Sequence, residues 1–117
     1  MNSKQQFRLD SEEKGLLGIV LNEVLNGFEV PEFDRKIGMK RGDLEELLKH
    51  LHTLGSRDIV TLDSHQTRAF RNALSETIRE LGIEEFRTRT GYDFGEGSAY
   101  LKKLDQLLGA SGSHDQV

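Results

Sequence analysis

The triplet Leu9-Asp10-Ser11 returns later in the chain as Leu62-Asp63-Ser64, and many of the residues behind it return as well. Laid without gaps over residues 60–107, at a constant offset of 53, residues 7–54 match at thirteen of forty-eight positions. The identities include Leu21, Glu23, Glu32, Phe33, Gly38, Leu48 and Leu54, and other pairs keep their chemical class: Val30 with Ile83, Lys36 with Arg89, Met39 with Tyr92. This agreement implies an internal duplication. A period of about 50 residues makes a stacked array only with about three units or more, so two copies predict a closed pair about an approximate two-fold axis.

A chain of 117 residues fits one domain. Each copy alone buries too little surface to be stable, so the halves are expected to share one core. Charged residues make up 31% and are mixed in sign, which favours folding over disorder. Lys and Arg against Asp and Glu number 8 to 10 in residues 1–56 and again 8 to 10 in 57–117. Neither half is basic, so nucleic acid is not an expected partner on charge alone, nor is an anionic membrane. The absence of cysteine excludes disulfides and thiol chemistry and suits a reducing cytoplasm. Met1 to Gln6 has no apolar stretch of the signal-peptide kind, and the uncharged run Gly15 to Asn22 is too short to span a bilayer.

Phe7 to Leu9 and Ile59 to Leu62 alternate apolar residues and read as short strands, each the other's natural partner in an antiparallel ribbon. Asp10 with Glu13, and Asp63 with Gln66, have capping-box spacing and start helices. Leu16, Leu17, Val20, Leu21, Val24 and Leu25 form the first apolar stripe, closed by Gly27. Ala69, Phe70, Ala73, Leu74, Ile78 and Leu81 form the second, closed by Gly82. Short helices come next, opened by Pro31 in the first copy and stopped by Gly38 and Gly91. A further helix is predicted over 41–54. Its counterpart is expected to begin only near Ser98, because Gly95 and Gly97 weaken helix.

Phe33 to Leu48, with its Ile37-Gly38-Met39 step, resembles a helix-turn-helix. On that reading Lys36, Lys40, Arg41 and Lys49 would face nucleic acid, but Asp43, Glu45 and Glu46 oppose phosphate. Glu23 and Glu76, with Lys36 and Arg89, are candidate structural ion pairs, expected within each half as Glu23 to Lys36 and Glu76 to Arg89. The segment Gly95-Glu96-Gly97-Ser98 is where the copies diverge most; it reads as a surface loop, with anion binding by its N–H groups as the sharper alternative. His50, His52, His65 and His114 lack ligand spacing, so no metal is expected, and no cofactor or catalytic set is indicated.

With Leu-Asp-Ser, Leu21-Asn22-Glu23, Pro31-Glu32-Phe33 and Glu85-Phe86-Arg87-Thr88-Arg89-Thr90-Gly91 laid out, each copy resembles a type of small bacterial protein. The resemblance implies a helical fold without an assigned activity, in which single-copy relatives associate in pairs.

The expected fold class is therefore mainly α (α+β): two βααα-like repeats packed as a pseudo-two-fold pair with a short antiparallel two-stranded ribbon. They form one domain over 1–117, with repeats at 7–54 and 60–107 and a mobile tail over 110–117. The expected function is a non-enzymatic protein–protein interaction module in the cytoplasm, as a monomeric pseudo-dimer or a homodimer. A nucleic-acid-binding regulator is the alternative.

Overall fold

The computed structural model describes residues 6–55 and 57–111; of the tail expected over 110–117, residues 112–117, with His114, lie outside the described residues. The chain is mainly α-helical with one two-stranded antiparallel sheet. In order come β1 (Gln6–Leu9), α1 (Ser11–Asn22) running on as a π-helical turn over Glu23–Gly27, α2 (Phe33–Ile37) and α3 (Arg41–His52). Then come β2 (Val60–Asp63), α4 (Ser64–Thr90) and α5 (Phe94–Ser111). No helix among the described residues is long and apolar enough to cross a membrane.

The strands pair with each other, Phe7 opposite Leu62 and Leu9 opposite Val60. Their alternation sends Leu9, Val60 and Leu62 into the core and leaves Arg8 and Thr61 outside. Each strand feeds directly into a capped helix. The Asp10 carboxylate accepts the Glu13 N–H at 2.8 Å while Glu13 Oε1 accepts the Asp10 N–H at 2.9 Å. Asp63 and Gln66 repeat the exchange at 2.7 and 3.0 Å. The two cap residues agree closely in backbone, φ −81°, ψ −178° at Asp10 and φ −82°, ψ −179° at Asp63. Gly38 and Gly91, 53 residues apart, end α2 and α4 in the left-handed region at φ 85° and 79°, which glycine enters without a Cβ penalty.

The apolar stripes meet across this frame. Leu17, Val20, Leu21 and Val24 of the first helix, and Ala69, Phe70, Ala73 and Leu74 of α4, have no exposed surface. Leu44, Leu48 and Leu51 of α3, Phe86 of α4 and Leu104 of α5 complete the core. The alanines leave room for α1 and α4 to approach closely.

Of four boundaries, one agrees with expectation and three differ. Gly82 closes the long apolar helix as expected: at φ 73°, ψ −175° it is non-helical, and α4 is two helices joined at this kink, the second being the expected short one. Pro31 does not open α2, because Glu32 intervenes at φ 55°, ψ 48°, and α3 stops two residues early, at His52. The fourth is the Gly95–Ser98 stretch, which is helix rather than loop. Asp93 caps it, accepting the Gly95 N–H at 3.1 Å, and Glu96 Oε1 reaches back to the Asp93 N–H at 3.0 Å. At Gly97 an added Cβ would stand 2.6 Å from Phe86 Cζ, so glycine is what lets α5 lie against that ring. Phe86 also meets Phe94 edge-on, centroids 6.0 Å apart at 87°. Cap and contact offset a helix cost of about 1 kcal/mol per glycine. Because α5 reaches Ser111, Ala110 and Ser111 belong to helix and not to the tail.

Gly97→Ala is expected to cost about 1–3 kcal/mol through overpacking. Gly18→Ala, where nothing lies within 4 Å of the new Cβ, is expected to gain about 0.5–1 kcal/mol of helix stability. Urea denaturation of the two variants measures both.

Candidate functional site

Polar side chains of the second half reach the backbone of the first. The Asn72 amide donates to the Ile37 carbonyl at 2.9 Å, and the His65 ring N–H to the Gly38 carbonyl at 2.8 Å, so α4 holds the end of α2. The Tyr92 hydroxyl likewise donates to the Glu12 carbonyl at 3.0 Å, holding the start of α1. Arg89 Nη2 lies 2.7 Å from Glu23 Oε1 and 3.2 Å from the Gly27 carbonyl oxygen. Glu23 is 8% exposed, and a Cβ at Gly27 would collide with its carboxylate and with the guanidinium.

These contacts correct the expected ion pairs. Glu23 pairs with Arg89 across the halves and not with Lys36, while Glu76 turns to Arg79 at 3.4 Å. An offset of 53 makes Lys36 and Arg89 equivalent, yet it does not fix which half each one serves. Of the cations proposed for nucleic acid, Arg41 donates to the Leu25 carbonyl at 2.9 Å and lies 4.3 Å over the Phe33 ring. Lys49 is near Glu46 at 3.9 Å, Lys36 is half-buried, and Lys40 is exposed. The anion-binding reading of Gly95–Ser98 also fails: the Gly95 N–H is taken by the Asp93 carboxylate and the Gly97 N–H by the Asp93 carbonyl, 3.0 Å away. Among the described residues no three His, Asp or Glu side chains are grouped so as to hold a metal ion; His50 and His52 are exposed near the end of α3.

A concavity of about 340 Å³, which no motif in the sequence announces, lies between the start of α1 and the outer face of α5. Leu16, Ala99, Tyr92 and Tyr100 give it an apolar lining, and Asp10, Glu12, Glu13, Glu96 and Lys103 supply the charge. Tyr100 leans on Phe70, centroids 5.5 Å apart. Tyr92 fits above α1 because residue 15 is glycine: a Cβ there would come within 2.8 Å of the Tyr92 hydroxyl. Lys103 Nζ sits 2.8 Å from Glu13 Oε2 and 5.4 Å from the Tyr100 centroid. Burial pushes the Tyr92 phenol above its ordinary pKa, and Glu12, Glu96 and Asp10 add to the effect. Tyr100 is raised in the same way, by burial first and then by Glu13 and Asp10. The signal for this site is a contrast at the offset of 53: Met39, Leu47 and His50 become Tyr92, Tyr100 and Lys103, and the second half holds both tyrosines of the chain.

No protein-family model, no curated protein and no solved structure matches the chain.

Arg89→Ala leaves the Glu23 carboxylate without its cation and is expected to cost about 1–3 kcal/mol. Lys36→Ala should stay within about 0.5 kcal/mol, as for an ordinary surface change. Equal losses in urea melts of the two variants would restore the within-half pairing. Alkaline titration gives a second check. A phenol whose folded pKa is raised adds stability that is complete below its unfolded pKa, about 10, and is lost as pH rises through the folded value. Stability is therefore expected to fall above about pH 10, with tyrosinate absorbance appearing later in the native protein than in urea.

Proposed function

We propose that the chain is an internally duplicated, non-enzymatic protein–protein interaction module working in the cytoplasm, with the two halves serving as a built-in dimer. The observation that carries this reading is the use made of its chemistry-capable side chains. Glu23, Arg89, Asn72, His65 and Tyr92 brace one half against the other. Groups committed to such braces are fixed in place and already hydrogen-bonded, which suits a scaffold better than proton transfer. Duplication is supported by the matched caps at Asp10 and Asp63 and the matched left-handed exits at Gly38 and Gly91. The resemblance to small paired bacterial proteins points the same way.

The surface offered to a partner includes Ile83, 68% exposed directly after the Gly82 break in α4. A large apolar side chain at a change of helix direction is suited to be an anchor in a partner's pocket. Quantitative affinity capture from host lysate is expected to retain a protein in fixed ratio to the wild-type chain and to lose it with Ile83→Asp, whose thermal midpoint should be unchanged. Retention by both chains alike, or by neither, counts against the module.

A further inference from the structure

The concavity beside Tyr92 and Tyr100 has the attributes of a small-ligand site independent of any protein partner. Its volume of about 340 Å³ is at the lower end for small-molecule pockets, and its apolar lining with a few convergent polar groups is the usual composition of one. Charge selects the class of ligand. Four carboxylates, Asp10, Glu12, Glu13 and Glu96, face one ammonium, Lys103, which leaves an excess of three negative charges. Three of the four carboxylates are partly engaged: Asp10 and Glu96 as caps, Glu13 with the Asp10 N–H and with Lys103. The Glu12 side chain makes no hydrogen bond or ion pair among the described residues. The chain already shows the mode of recognition, since the Lys103 ammonium rests between a carboxylate and the face of a tyrosine ring, where a cation is attracted by both.

We infer that this concavity binds a small organic cation, a primary ammonium carried on an apolar or aromatic body. The body lies on Leu16, Ala99 and the two tyrosines, and the ammonium meets Glu12. Burial is the main cause of the raised phenols, and the carboxylates around the concavity add to it. An internal control stands 53 residues away. The corresponding concavity, also about 340 Å³, has Met39, Asp43 and His65 where this one has Tyr92, Glu96 and Glu12. It contains no aromatic side chain other than the His65 ring, and its two carboxylates, Asp34 and Asp43, face Lys40 and His65.

The test is a titration of the 15N-labelled full chain with 2-phenylethylammonium, and with 3-phenylpropionate as its charge-reversed counterpart. Saturable amide shifts are expected at Tyr92, Ala99 and Tyr100 with the ammonium alone, and none at Met39, Asp43 and His65. Glu12→Gln, an exposed change that should leave the thermal midpoint in place, is expected to weaken binding about two- to fivefold, the scale of one solvent-accessible ion pair. Lys103→Met removes the competing ammonium and is expected to tighten binding by a similar factor. The inference is overturned by an absence of saturable shifts, by equal binding of the carboxylate, or by affinities that neither variant changes. The lysate capture and Ile83→Asp assay concern a residue that does not line the concavity, so either result stands without the other.

Discussion

The pairing of β1 with β2 is the constraint on which the rest depends. Each strand has four residues, and a strand that short leaves its N–H and C=O groups unpaired unless a second one lies beside it. Among the described residues the only regular partner for each is the other, from the opposite half of the chain. Because Asp10 and Asp63 cap helices with no residue between strand and cap, pairing the strands also fixes the starts of α1 and α4 relative to one another. The apolar stripes then have one direction in which to be buried, toward each other, and Ala69 and Ala73 keep the approach close.

Once α1 and α4 are set, the short helical segments lie within reach of the opposite half. Asn72 and His65 hold the end of α2, and Arg89 holds the π-helical turn after α1. The turn itself serves this contact, since it ends at Gly27, whose missing Cβ leaves space for the Glu23 carboxylate and the Arg89 guanidinium together. A nearly buried carboxylate is costly without a cation close by, so the glycine, the glutamate and the arginine form one unit although they come from both halves.

The features legible in the sequence were those determined by near neighbours along the chain. Capping boxes at Asp10 and Asp63, the stops at Gly38 and Gly91, and the stripe from Leu16 to Leu25 each depend on spacings of a few residues, and spacing survives in a string of letters. The Asp93-x-x-Glu96 pair had the same spacing, but two glycines beside it argued against helix, and only the Phe86 ring explains why Gly97 is wanted there. The Glu23 partner was not legible for a different reason. In a repeat, a contact within one copy and the same contact exchanged between copies leave identical patterns, so Lys36 and Arg89 were interchangeable on paper. Tyr92, Tyr100 and Lys103 form no motif in the sequence, because only the placement of α1 opposite α5 brings them together around one concavity.

Bracing and binding meet in Tyr92. Its hydroxyl is committed to the Glu12 carbonyl, a contact that helps join the halves, while its ring lines the concavity. Tyr100 is steadied in turn by Phe70, which has no exposed surface. The two rings are thus held by the fold before any ligand arrives. A wall already fixed loses little side-chain entropy on binding, so a larger share of the contact energy is left as affinity. The same rigidity limits how the site can change. A larger residue at Gly15 would push against the Tyr92 hydroxyl and so disturb both the wall and the brace. Glu12 is the freer position: only its backbone carbonyl serves the fold, and its side chain can vary with the ligand. The corresponding position in the second half, His65, uses its ring as the brace on Gly38. The Glu12 side chain is spared that duty, because the hydroxyl of Tyr92 supplies the brace from the other side.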